Sequence, residues 1–384
     1  MTTTLDPSPV RARPLAVASV ALGTFTLVTS EMLPVGLLTS IAADLGVSPG
    51  TAGLTMSAPG LVAAVAAPAL AVAARRADRR TLLIGLMALL AAANLAAALA
   101  PGYAVMLAAR VATGVSIGGF WAFAAGLGAR LVPERQVGRA TSVILGGVSV
   151  ASVLGVPVAT LVSSSAGWRA AFAALGVLAL ALLALLAVTL PPLPSSGDRA
   201  GARSRMSRPL ALVLVLTVLI IGGHFAAYTY LRPFMEQTAQ AGPGLVSAAL
   251  LLYGAAGVAG NFAAGARAAR NPRAVLILLA VLVAAATAAL PLGAPPLAAL
   301  VVWGLGYGGV GVTLQLWIMR SGGGELGTAL FVSAFNLSIA LGALVGGRVV
   351  DGVSTTAAMW PAAALSLLAA AAAGIWGRSR TSGS

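Results

Sequence analysis

The sequence has no lysine and no cysteine, and only one histidine and nine acidic residues in 384. Without cysteine there is no disulfide framework, no thiol nucleophile and no cysteine-ligated metal. A single histidine cannot fill the usual nitrogen and sulfur ligand sets, so neither a metal nor a cofactor is expected. Charged residues make up 8% of the chain, where a soluble protein carries about a quarter; that excludes an ordinary water-soluble domain. The acids are scattered along the chain, so the paired carboxylates or His–Asp group of a membrane-embedded enzyme are missing. No filter-like repeat or ring of charge points to a channel.

What is present is apolar. Hydrophobic residues reach 59% and the mean hydropathy is +0.99, which predicts an all-α membrane protein of many spans. A span needs about 20 mostly apolar residues, and twelve stretches qualify: 15–39, 50–74, 81–100, 103–127, 138–162, 168–190, 209–231, 243–266, 273–291, 296–319, 326–349 and 356–377. The first is too long for a signal-peptide core and is interrupted by Glu31, so it reads as a retained span. The 46 glycines suit close helix packing in lipid, where small residues let backbones approach.

The net charge of +14 comes from arginine alone. The arginines form short clusters between apolar runs rather than a basic module, so nucleic acid is not an expected partner. With both termini in the cytoplasm, all 23 basic residues except Arg110, Arg169, Arg232 and Arg348 fall in inner segments, as the positive-inside bias requires. An odd number of spans would scramble that alternation. Residues 191–208 (PPLPSSGDRAGARSRMSR) read as a flexible cytoplasmic linker. They divide the chain into a six-span half (1–190) and a second six-span half (209–384), the layout of a transporter with two repeats. The basic turns ARRADRR after span two and ARAARNPR after span eight occupy equivalent places in the two halves.

Glu31, in the stretch TSEMLPVGLL (29–38), is the one acid placed well inside an apolar segment. An ionised carboxylate at that depth costs a few kcal/mol, and intramembrane ionisable residues are functional by default; the alternative is an acid snorkelling outward or neutralised by a structural partner. His224 in span seven has the ordinary pKa of a proton carrier or a substrate hydrogen-bond partner. It is equally consistent with a histidine bonded to a neighbouring helix. Tyr228 and Tyr230 read as pocket aromatics or as interface anchors, the latter more so for Tyr230. Asn336 and Gln315 are further polar candidates for a substrate site, and Trp121 and Tyr307 could stack on a flat substrate or face lipid.

Several stretches together resemble the major facilitator superfamily, and within it the bacterial drug–proton antiporters, near the sugar, arabinose and purine-nucleoside efflux permeases. They are TSEMLPVGLLTSIAADLGVSPGTAGL (29–54), ARVATGVSIGGFWAFAAGLGARLVP (109–133), GGVSVASVLGVP (146–157), GWRAAF (167–172), GGHFAAYTYLRPF (222–234), GYGGVGVTLQLW (306–317) and FNLSIALGALVGGRVVD (335–351). The resemblance covers residues 15 to about 375. It implies two pseudo-symmetric six-helix halves, alternating access, and proton-driven export of a small neutral or weakly charged molecule such as a drug, sugar or nucleoside. It also implies a monomer in a bacterial inner membrane. An uptake symporter on the same fold is the alternative.

The resemblance assigns Arg110 and Gly114 to an Arg-plus-Gly motif in span four. Spans one and four resemble the superfamily's cavity-lining pair, and rise per residue puts Glu31 roughly 12 Å and Arg110 roughly 10 Å below the outer surface. A Glu31–Arg110 ion pair is therefore sterically reasonable, with Glu31, Arg110 and His224 carrying proton coupling; the alternatives are a purely structural pair and an Arg110 that only braces helices. Gly146, Gly155 and Pro157 match the antiporter glycine pattern of span five only in part, because Val156 intervenes. The loop motif Gly-x-x-x-Asp-Arg-x-Gly-Arg-Arg aligns on residues 71–80. There Arg76, Arg79 and Arg80 match, but Ala71 and Arg75 replace the first glycine and the acid, and Asp78 stands where the second glycine belongs. The inner latch of the motif is thus expected to change, with Asp78 as the substitute acid.

Overall fold

A computed structural model describes residues 13–73, 77–124, 127–194, 207–321 and 324–377. Twelve of its helices are long and apolar enough to cross a membrane. In chain order they are α1 (Pro14–Asp44), α2 (Pro49–Leu70), α3 (Arg79–Ala98), α4 (Tyr103–Phe123), α5 (Glu134–Ala166) and α6 (Trp168–Thr189) in the first half. The second half contains α7 (Arg208–Tyr228), α8 (Pro243–Ala268), α9 (Pro272–Ala289), α10 (Pro296–Arg320), α11 (Gly327–Gly352) and α12 (Met359–Trp376). Each coincides with an expected span. The largest differences are at α1 and α5, which run past their apolar stretches, because backbone hydrogen bonding continues into the interface where hydropathy falls. The expected linker lies mostly outside the described residues, which omit 195–206.

Local chemistry sets the starts. Proline stands in the first turn of α1, α2, α7, α8, α9 and α10, where its missing N–H has no partner to lose. Ser48, Asp78, Ser207 and Asn271 accept from the first free amides of α2, α3, α7 and α9, as N-caps do. Packing then depends on small residues. A Cβ on Gly114 of α4 would lie 2.6 Å from the Pro59 carbonyl oxygen, and one on Gly118 2.8 Å from that of Ala63. α2 and α4 therefore touch backbone to backbone.

Buried side chains form two clusters inside the first half, around Leu27, Leu90 and Phe120 and around Leu33, Ile41 and Phe172. A larger cluster in the second half also takes in Val35, Met56 and Val156 of the first, so the halves share an apolar seam. At the face remote from the termini, hydrogen bonds cross that seam. The Asp351 carboxylate accepts from the Gly50 N–H at 2.8 Å and the Ser48 hydroxyl at 2.6 Å. Arg232 donates to the Gly36 carbonyl at 2.5 Å, and Ser247 to that of Pro157 at 2.6 Å. The distal face is closed.

Candidate functional site

The site begins with two prolines. Pro34 lies inside α1 and Pro59 inside α2. Neither can donate to the carbonyl four residues earlier, so Ser30 and Thr55 each present a carbonyl oxygen without its helical donor. Arg110, fully buried on α4, supplies both. Its Nη1 donates to Ser30 at 2.8 Å and its Nε to Thr55 at 2.8 Å, while Nη2 donates to the Glu31 carbonyl at 2.9 Å. One guanidinium thereby ties three helices together at membrane depth.

This corrects the expected side-chain ion pair. Arg110 bonds the backbone of Glu31, not its carboxylate, because the two proline-freed carbonyls draw the guanidinium onto the helix backbones. The ion pairs among the described residues are instead Arg169–Asp44 and Arg232–Glu236. Glu31 is the only buried acid among the described residues, with 7% exposure. Val35, one helical turn further along α1, packs into the second-half cluster, so the acid lies beside the seam. Asn94 of α3 steadies the neighbouring turn, accepting from the Ser30 hydroxyl at 2.9 Å and donating to the Leu90 carbonyl at 2.9 Å.

Across the seam, His224 of α7 stands inside an aromatic cage. The Trp303 indole N–H on α10 donates to its Nδ1 at 3.1 Å. An indole has no acceptor, so Nδ1 carries no proton, and the proton of the neutral ring is on Nε2, facing the Tyr253 hydroxyl at 3.5 Å. Tyr307 stacks on the imidazole with centroids 3.4 Å apart, and Tyr228 at 4.8 Å. A second proton would have to displace the Trp303 bond. In this arrangement His224 is a bonded, neutral ring with Tyr307 stacked on its face.

The remaining expected residues divide. Tyr228 and Tyr307 join the cage. Tyr230 is not an interface anchor: it is completely buried, and its hydroxyl donates to the Ala343 carbonyl at 2.7 Å. Trp121 lies away from the cage, half-buried and edge-on to Phe120 in the first-half core. Asn336 is buried and donates to Val332 of its own helix at 2.9 Å. Gln315 is half-buried and reaches the Thr328 hydroxyl at 3.5 Å.

Gly155 ends a π-helical turn, Ala151–Gly155, within α5 and packs on the Thr29 side chain. Such turns often mark functional sites. Pro157 follows, its carbonyl holding Ser247. Gly146 faces open space, and its neighbour Gly147 makes the close approach to α1. Asp78 caps α3, accepting from Arg80 N–H at 2.7 Å and from Leu193 N–H at 3.0 Å. Arg79 covers the Phe123 ring at 4.4 Å, and Arg80 donates to the Ala187 carbonyl at 2.6 Å. Arg76 lies outside the described residues.

Sequence reasoning missed Trp303, Tyr253, Asn94 and Thr55. For Thr55 a signal was present: Ser30 and Thr55 each stand four residues before a proline inside an apolar run. The others look like ordinary span residues until the helices are packed.

Comparison with known proteins follows the same lines. The family model for the Major Facilitator Superfamily matches residues 20–332. The purine ribonucleoside efflux pump NepI of Escherichia coli is 31% identical over 92% of this chain and 92% of its own length. A probable sugar efflux transporter of Helicobacter pylori is 30% identical over 91% and 92%. A Pseudomonas aeruginosa protein named transcription regulatory protein OpdE is 35% identical over 92% and 91%. Among solved structures, a variant of the nucleoside transporter NupG superposes with a TM-score of 0.74 over 94% of this chain and 99% of its own, at 13% identity.

Proposed function

The chain belongs to the Major Facilitator Superfamily, a multi-pass membrane transporter, and on that premise we propose that it is a proton-coupled exporter of a small neutral or weakly charged molecule. The carrying observation is Glu31: the only buried acid among the described residues, with a carboxylate that takes no hydrogen bond from Arg110. Met32 and Val35 beside it pack against the second half, at the seam that must open and close. Protonation removes a buried charge, so the proton discriminates between the two arrangements of the halves, as coupling demands. Arg110 holds the helix turn that presents the acid, and His224 serves as a fixed polar group of the cavity wall.

The substrate class follows from the wall. A largely apolar site with a few converging polar groups suits a compact amphipathic molecule, and the cage of Tyr228, Tyr253, Trp303 and Tyr307 supplies faces for a planar ring. Relatives named for efflux of sugars and of purine ribonucleosides support export of such a molecule. The arginine distribution supports cytoplasmic termini; on that reading the closed distal face is the outer one and substrate enters from inside.

Proteoliposomes test this. Glu31→Gln is nearly isosteric and cannot ionise; it inserts normally but loses proton-driven export of uncharged nucleosides, while gradient-free exchange persists. Export at the wild-type rate would remove Glu31 from the mechanism. Protons and substrate moving in the same direction would make the protein a symporter.

A further inference from the structure

At the terminal face of the second half lies a groove of about 1370 Å³. It is walled by Arg208, Arg270, Arg273 and Arg320 and floored by Trp317, with Trp376 at its rim. Among the described residues, no acid lines it. Two of the four guanidiniums are structural: Arg273 donates to the Ala373 and Gly374 carbonyls that end α12, and Arg320 to the Arg270 carbonyl at 3.0 Å. Arg208 and Arg270 are exposed, and their guanidiniums make no hydrogen bond or ion pair with the described residues. The N-termini of α7 and α9 also open here, adding the positive ends of two helix dipoles.

The first half treats the corresponding turn differently. There the cap is an acid, Asp78, and the chain after α6 lies over it: the Leu193 N–H donates to Asp78, its carbonyl accepts from the Arg79 N–H, and Leu190 and Leu193 are buried. In the second half the cap is the neutral Asn271, and no described segment covers the cleft. No adjoining segment is suited to fill it. Residues 195–206 hold three arginines against one aspartate, and residues 378–384 hold two arginines and no acid.

We propose that this groove binds the phosphate of an anionic phospholipid headgroup, with Arg208 and Arg270 as its free cations. Several uncompensated positive charges around one concavity call for an anion, and basic pockets at the cytoplasmic ends of spans are where headgroups are held. The rim selects a lipid over a soluble anion. Trp376 and Ile375 are 69% and 64% exposed at the end of α12, an aromatic and apolar edge of the kind that sits at the lipid–water boundary. Acyl chains leaving the groove there stay in the bilayer.

The test uses the full-length protein, delipidated in a neutral detergent, with native mass spectrometry and thermal unfolding. Phosphatidylglycerol should be retained and raise the melting temperature, and phosphatidylcholine should do so much less. The double substitution Arg208→Gln with Arg270→Gln should weaken phosphatidylglycerol binding on the order of tenfold or more, as expected for losing two charge contacts. Arg267→Gln removes a charge from the same turn but outside the groove and should leave binding unchanged. Equal retention of the two lipids, or equal phosphatidylglycerol binding by the double variant, would overturn the proposal. Stabilisation by inorganic phosphate alone to the same degree would keep a phosphate site and overturn the lipid as its source.

Discussion

Arg110 Nη1 lies 2.8 Å from the carbonyl oxygen of Ser30, the carbonyl that Pro34 deprives of its helical donor. A buried cation is thus satisfied by backbone dipoles, and the neighbouring carboxylate takes no hydrogen bond from it. The same guanidinium does this on α2 as well, through Thr55 and Pro59. In lipid, where no water can replace a missing partner, these bonds hold the proline-containing helices in register.

The relationship predicts coupling between Arg110 and Pro34. Arg110→Lys has one compact ammonium for carbonyls on two helices, and should cost on the order of 3 kcal/mol of stability by leaving buried acceptors unpaired. Pro34→Ala restores an N–H to the Ser30 carbonyl, so Arg110→Lys should cost less in that background. Thermal unfolding of the four proteins in detergent measures it. A cycle additive to within about 0.5 kcal/mol would show that the two residues do not share the carbonyl.

His224 is the only histidine in the chain, so its nitrogen resonances need no assignment. Protein labelled with ¹⁵N-histidine should show, at neutral pH, a neutral ring with the proton on Nε2 and an acceptor Nδ1. Trp303→Phe should remove the hydrogen-bond shift at Nδ1 while leaving the fold intact, since the aromatic volume is largely kept. Observation of an imidazolium, or of a proton on Nδ1, would contradict the Trp303 contact.

Topology is tested in a chain free of cysteine. Single cysteines introduced by Ser196→Cys and Ser384→Cys should resist an impermeant thiol reagent in intact cells. Leu292→Cys, in the turn between α9 and α10 where the residue is 75% exposed, should react. Labelling of Ser196→Cys or Ser384→Cys from outside would invert the orientation and with it the assignment of the closed face.

The division between sequence and tertiary structure follows the range of the forces involved. Twelve spans, their order and the placing of arginines are properties of local runs: transfer into hydrocarbon is decided within about 20 residues, so α1 to α12 were legible before any packing. Glu31, Arg110, His224, Tyr228 and Tyr307 were legible as well, because a polar or aromatic side chain inside an apolar run stands out whatever surrounds it. Which partner each takes was not. Arg110 chose carbonyls over the Glu31 carboxylate because Pro34 and Pro59, on two other helices, arrive beside it only once α1, α2 and α4 are packed. Trp303 and Tyr253 became the partners of His224 in the same way, from helices 79 and 29 residues distant. Tyr230 turned inward because α11 offered the Ala343 carbonyl. A buried polar group must find a partner wherever the fold puts one, and that choice depends on neighbours far along the chain, which only the packed bundle brings together.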